Sequence, residues 1–113
     1  MSGSGNWEFE MYWNNRTNTY VKNGSLYIKP TYSIDYLGEK TFKTGIVKLW
    51  GSTPADKCTS NDFYGCERNA AASGNYINPI MSGRLRSVNS FAFKYGRIEV
   101  RAKLPKGDWI WPA

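Results

Sequence analysis

The sequence predicts an all-β domain, with antiparallel strands amphipathic on one face, from three observations. Aromatics reach 16% of the 113 residues, with eight Tyr, five Trp and five Phe. Aromatic and β-branched side chains fit a pleated, half-buried surface. Eleven Gly, with many Asn, Ser and Thr, supply turn chemistry between short strands. From Phe91 to Leu104, apolar and polar residues alternate, which is the period of a strand. No amphipathic helix and no internal repeat stands out.

The elements follow in order. Thr19 to Lys22 and Ser25 to Lys29 read as a hairpin closed by Asn23-Gly24, a strong short-range turn signal. Leu26 and Ile28 would face one way, Tyr27 and Lys29 the other. Thr41 to Leu49 reads as a strand region interrupted by Gly45. Residues 51–79, rich in Gly, Ser, Asn and Pro, read as a long loop; such a loop in a small domain is functional or misassigned. Arg84 to Val88 reads as another strand.

The last stretch has the clearest pattern. Phe91, Phe93 and Tyr95 lead into Ile98, Val100, Ala102 and Leu104, which alternate with Arg97, Glu99, Arg101 and Lys103. Gly96 shifts the phase, as a bulge would. Phe93 and Tyr95 read as core. Pro105-Lys106-Gly107-Asp108 ends the strand in a turn, and Trp109-Ile110-Trp111-Pro112-Ala113 opens a further buried strand. Strands of this kind need a second sheet or closure to cover their apolar face. The expectation is that another polypeptide, or residues beyond Ala113, completes the fold. Met1 to Gly5, Met-Ser-Gly-Ser-Gly, reads as an appended linker.

Composition removes several functions. The length suits one small domain. There is no histidine, so the Ser-His-Asp triad, the Cys-His dyad and the usual zinc-protease sites have no basis. No run approaches the ~18 apolar residues of a membrane helix, and no membrane partner is expected. The net charge is +6, but the basic residues are dispersed. Their densest run, Arg97 to Lys106, reads as the solvated face of a strand. A basic aromatic surface could also stack single-stranded nucleic acid; without clustered charge or a stacking motif, no nucleic acid partner is expected.

Cys58 and Cys66 have seven residues between them, too many for a Cys-x-x-Cys redox pair. With no further Cys and no His, zinc lacks ligands. A local disulfide is the best reading, contributing roughly 2.5 kcal/mol in the chain-entropy model; two free buried thiols are the alternative. A disulfide favours an oxidising, secreted, extracellular setting, and the sequons at Asn15 and Asn23 suit one. No metal or other cofactor is expected.

Tyr95 to Ala113, Tyr-Gly-Arg-Ile-Glu-Val-Arg-Ala-Lys-Leu-Pro-Lys-Gly-Asp-Trp-Ile-Trp-Pro-Ala, resembles glycoside hydrolase family 16. The likeness is to the laminarinase-like endo-1,3-β-glucanases and the invertebrate β-1,3-glucan-binding proteins. Ser82-Gly83-Arg84-Leu85-Arg86-Ser87 resembles that group's cleft strand. Asn14 to Asn18 and Asn23 to Thr31 resemble its N-terminal strands. The likeness runs from about Asn6 to Ala113, so residues 6–113 read as the N-terminal part of such a domain. It implies a concanavalin-like jelly roll, an antiparallel β-sandwich of two curved sheets that is incomplete here. It also implies a concave cleft for a β-1,3-glucan of the laminarin type.

The resemblance carries over a few residues. Arg84 matches a cleft arginine whose guanidinium donates to sugar hydroxyls. Asn15, less surely Asn14, matches a sugar-contacting asparagine. Trp109 and Trp111 fall where aromatic platforms stack on the apolar face of a pyranose. Core packing of Trp111 and a surface role for Arg84 are the alternatives. Family enzymes are retaining hydrolases with a Glu-x-Asp-x(-x)-Glu strand, whose carboxyls sit about 5–5.5 Å apart. That strand lies downstream of Trp-Pro-Ala in the family, and no catalytic residue is assigned here. Glu8 and Glu10 could share a strand face with Cα atoms roughly 6.8 Å apart, but solvated edge charges are the plainer reading. Glu99, between Arg97 and Arg101, reads as an ion-pair partner.

Two functions follow as expectations. One is the N-terminal half of a secreted endo-1,3-β-glucanase that supplies cleft residues, with a complementing C-terminal half or another chain as partner. The other is non-catalytic, lectin-like recognition of β-1,3-glucan in innate immunity.

Overall fold

A computed structural model describes residues 5–53 and 56–111. The reading of Met1 to Gly5 as a linker, apart from Gly5, lies outside those residues, as do Pro112 and Ala113. Strands are the commonest regular element, arranged in small sheets of three, two and two. Among the described residues no sheet closes into a barrel.

The hairpin forms as the sequence predicts. β2 (Thr19–Lys22) and β3 (Ser25–Ile28) pair antiparallel from Lys22 opposite Ser25 to Thr19 opposite Ile28. Asn23 and Gly24 both take positive φ, 50° and 72°, the turn whose twist matches the strands it joins. Tyr20 and Tyr27 stand opposite and stack with ring centroids 4.9 Å apart. This cross-strand pair stabilises the ribbon, whose Leu26 and Ile28 are both exposed.

β1 (Glu10–Tyr12), β7 (Ile80–Ser82) and β4 (Thr31–Tyr32) form the three-stranded sheet, with β7 in the centre. β1 runs parallel to β7 and β4 antiparallel. The parallel pair corrects the expectation of wholly antiparallel strands. A parallel pair needs a long crossover, and residues 13–79 provide it.

Part of that crossover is helical, a second correction. α1 (Ser33–Thr44) is broken at Gly38, whose φ of 75° and ψ of 158° are not helical. Its two short pieces carry Tyr, Thr, Ile and Phe, which are middling helix formers, so no continuous apolar stripe shows in the sequence. Ser33 anchors the start: its N–H donates to the Pro79 carbonyl at 2.8 Å and its hydroxyl to the Asn78 carbonyl at 2.6 Å. Lys43 in the last turn suits the helix dipole. Gly45 ends the helix, and only Ile46–Lys48 of the expected Thr41–Leu49 region is strand, β5.

The long loop is not structureless. It holds a single 3-10 turn at Asp62–Tyr64, strand β6 (Glu67–Asn69) and the four-residue helix α2 (Ala70–Ser73). β5 and β6 pair antiparallel, and the Leu49 N–H donates to the Cys66 carbonyl at 2.7 Å beyond the ladder. The Cys58–Cys66 disulfide is formed. Met11, Val47, Leu49, Ala70, Ile77 and Met81 make the core, flanked by Trp13, Leu37 and Phe42.

Among the described residues, the core therefore runs from Met11 to Met81. The strands expected at Arg84 to Val88 and Phe91 to Leu104 do not form. Phe93, Tyr95, Ile98, Val100 and Leu104 are exposed, so Phe93 and Tyr95 are not core. A strand's backbone hydrogen bonds are made to a neighbouring strand. No described residues pair with this stretch, so alternation alone does not produce a strand.

Candidate functional site

The β1–β7 pairing builds a polar edge. Met11 is fully buried against the core. Strand side chains alternate between faces, so Glu10 and Tyr12 project together on the other side. Tyr12 stands opposite Ser82, and Arg84 follows two residues later. The Arg84 guanidinium carbon lies 5.7 Å from the centroid of the Tyr12 ring, within cation–π range. The Tyr12 hydroxyl donates to Glu10 Oε1 at 2.5 Å. Burial and then that hydrogen bond raise the Tyr12 phenol well above its ordinary pKa, while the Arg84 charge lowers it.

This edge offers a forked cationic donor, an aromatic face and a carboxylate acceptor side by side. Such a set recognises a ligand with both hydroxyl groups and an apolar face. The neighbouring Glu8 accepts from the Asn6 N–H at 3.0 Å, and Glu10 is engaged by Tyr12. Glu99 forms a surface pair with Arg97 at 2.6 Å, as its position predicts.

The residues expected to bind fall into three situations. Arg84 is exposed and joined to Tyr12. Asn15 is half-buried and shapes a turn: its Oδ1 accepts from the Thr17 N–H at 2.7 Å, and its carbonyl accepts from the N–H groups of Asn18 and Thr19, each at 3.0 Å. Its carboxamide oxygen is thus committed, and its amide NH₂ is the group left for a ligand. Trp109 and Trp111 are exposed over nearly their whole surface, and Trp109 sits at a φ of 61°. Neither indole packs against Arg84, so the structure does not gather the two Trp with the other residues. Among the described residues no group of three or more His, Cys, Asp or Glu could hold a metal ion. No described helix is long and apolar enough to cross a membrane.

Tyr12 is the residue that sequence reasoning missed. The signal was the sequence Glu10-Met11-Tyr12, one turn of period-two alternation around an apolar centre. It is too short to stand out, and its partner strand lies 70 residues away, Glu10 opposite Ile80.

Comparison with known proteins adds a separate line of support. The chain is 51% identical over 114 residues to a β-1,3-glucan-binding protein of Penaeus monodon, covering 100% of the chain. It is 39% identical over 97 residues to Gram-negative bacteria-binding protein 2 of Drosophila melanogaster, and 32% identical over 114 residues to β-1,3-glucan-binding protein 1 of Manduca sexta. Those matches cover 84% and 97% of the chain. The chain spans only 31%, 19% and 21% of these relatives' lengths. No protein-family model matches the chain. No solved structure matches it at a significant level.

Proposed function

We propose that the chain is part of a secreted protein that recognises β-1,3-glucan without hydrolysing it. The observation that carries this is the similarity, along the whole chain, to a protein named for β-1,3-glucan binding. The relatives reported above are named for binding, and none for hydrolysis. The Glu10–Tyr12–Arg84 edge supports it chemically. Arg84 donates to sugar hydroxyls, Tyr12 offers a ring face, Glu10 accepts, and Asn15 contributes its amide NH₂. Trp109 and Trp111 are the candidate stacking platforms, free to close on a bound sugar. The disulfide suits the oxidising setting of a secreted protein.

In this reading residues 6–113 are the N-terminal part of a jelly-roll sandwich of the glycoside hydrolase family 16 type. A complementary segment would pair with residues 91–104 and cover their apolar face. A hydrolytic version of the same reading draws on the resemblance of Tyr95 to Ala113 to laminarinase-like enzymes, with catalysis supplied from outside this chain. Titration with laminarin and a parallel assay of reducing ends test both. Binding without new reducing ends, weakened about tenfold by Arg84→Ala, is the expected result. Reducing ends released by the chain would overturn it, and unchanged affinity in the Arg84 variant would remove Arg84 from the site.

A further inference from the structure

A concavity of about 880 Å³ opens on the structure, and none of Glu10, Tyr12, Asn15, Arg84, Trp109 or Trp111 lines it. Its size falls within the range of small-ligand sites, about 300–1,000 Å³. Five large rings border it: Trp7 and Phe9 ahead of β1, Trp50 after β5, Tyr64 in the 3-10 turn and Tyr76 after α2. Each is between 45% and 70% exposed. Exposed aromatics scattered singly need no explanation, but five around one hollow do.

The charges in the hollow, Glu8, Glu67 and Arg68, are already engaged: Glu8 accepts from the Asn6 N–H at 3.0 Å. Arg68 lies with its guanidinium carbon 5.3 Å from the Trp7 ring centroid, and it donates to the Phe63 carbonyl. Glu67 accepts from the Trp50 indole N–H at 3.2 Å and sits 3.8 Å from the Lys48 ammonium. What remains for a ligand is neutral. Asn61 Oδ1 accepts from the Cys66 N–H at 3.1 Å, and Asn69 Oδ1 from the Ala72 N–H at 3.0 Å. Both carboxamides therefore keep their NH₂ donors for the hollow. Asn75 is arranged the other way: its NH₂ donates to the Ser73 carbonyl at 3.3 Å, which leaves its oxygen as an acceptor.

Flat apolar rings, uncommitted amide donors and an amide acceptor match a neutral pyranose, which has an apolar C–H face and a rim of hydroxyls. We propose that this groove is a second saccharide-binding site, taking a short stretch of neutral hexose polymer. It rests on its own residues and not on the Arg84 edge. The Cys58–Cys66 disulfide brackets Asn61 and Tyr64 and holds that wall in place. Two sites on one chain would engage a repeating polymer with avidity that neither reaches alone.

The test is calorimetric titration of the 113-residue chain with hexasaccharides of β-1,3-linked glucose, β-1,4-linked glucose and mannose. Wild type, Tyr64→Ala/Tyr76→Ala and Arg84→Ala are compared, with circular dichroism as the check on folding. The expected result is at least tenfold weaker binding of one hexasaccharide to the double variant, with that site intact in Arg84→Ala. Reduction of the disulfide should weaken the same site. If the double variant loses its fold, the single exposed changes Tyr64→Ser and Tyr76→Ser read the same site. Binding lost in Arg84→Ala and unchanged in the tyrosine variants would overturn the groove and leave the Arg84 site standing. Weaker binding in the tyrosine variants, with no hexasaccharide affected by Arg84→Ala, would uphold the groove and remove the Arg84 site. No binding of any hexasaccharide would overturn both.

Discussion

The carboxamide of Asn18 donates to the carbonyl of Met81 at 3.2 Å, across 63 residues of chain. The same NH₂ reaches the Lys29 carbonyl at 2.8 Å and the Thr31 hydroxyl at 2.9 Å, while Oδ1 accepts from the Trp13 indole. One fully buried side chain thus ties the hairpin, β4, β7 and the loop after β1 together. Asn18→Ala would leave several buried groups without partners, each costing about 1–3 kcal/mol. We expect a loss of about 3 kcal/mol in urea unfolding, large against the ~5–15 kcal/mol of a whole domain. A change below about 1 kcal/mol would show that water replaces the carboxamide.

Gly83 sits between Ser82 of β7 and Arg84, and a Cβ there would collide with Thr19 Cγ2. Both residues are buried, so the clash has little room to relax. Gly83→Ala should cost about 1–3 kcal/mol, the usual range for overpacking. Thr19→Ser removes the methyl, and the double variant should recover most of the loss. Additive costs in the double-mutant cycle would place the strain elsewhere.

These contacts show what the sequence could and could not reveal. Asn23-Gly24 and the cysteine spacing were legible because their signals are local: a two-residue turn fixes its own hairpin, and two cysteines nine positions end to end can reach only one another. The Tyr12–Arg84 contact was not legible. It depends on a parallel pairing between strands of three residues, which carry almost no pattern. α1 was hidden because Gly38 splits it and only Leu37 and Phe42 face the core. The alternation from Ile98 to Leu104 was legible but misleading, since it describes a face prepared for a neighbour that the described residues do not supply.

Reduction of Cys58–Cys66 removes a short closed loop from the restraints on the unfolded chain. The chain-entropy model gives about 2.5 kcal/mol for this separation. The bond also holds the wall around Leu49, whose N–H donates to Cys66. Unfolding in urea with and without reductant should show a loss of about 2–3 kcal/mol. Equal midpoints would mean that the β5–β6 pairing holds this loop without the bond.

Tyr12 should be the last tyrosine to ionise. Burial comes first among the causes that raise its pKa, then the hydrogen bond and charge of Glu10; Arg84 alone opposes them. The sign of the linkage follows. In the unfolded chain the phenol titrates near the ordinary value of about 10, and in the folded protein it titrates higher. Between the two, unfolding releases a proton, so this contribution to stability is full below about pH 10 and is lost as pH rises toward the folded value. Near-ultraviolet phenolate absorbance should show one tyrosine lagging the rest, and Tyr12→Phe should abolish the lag and flatten the alkaline fall in stability. Arg84→Ala removes the one opposing charge and should push the lagging transition higher still. A lag that Arg84→Ala leaves in place or lowers would mean that the guanidinium does not sit over the Tyr12 ring in solution, and the polar edge would have to be redrawn without it.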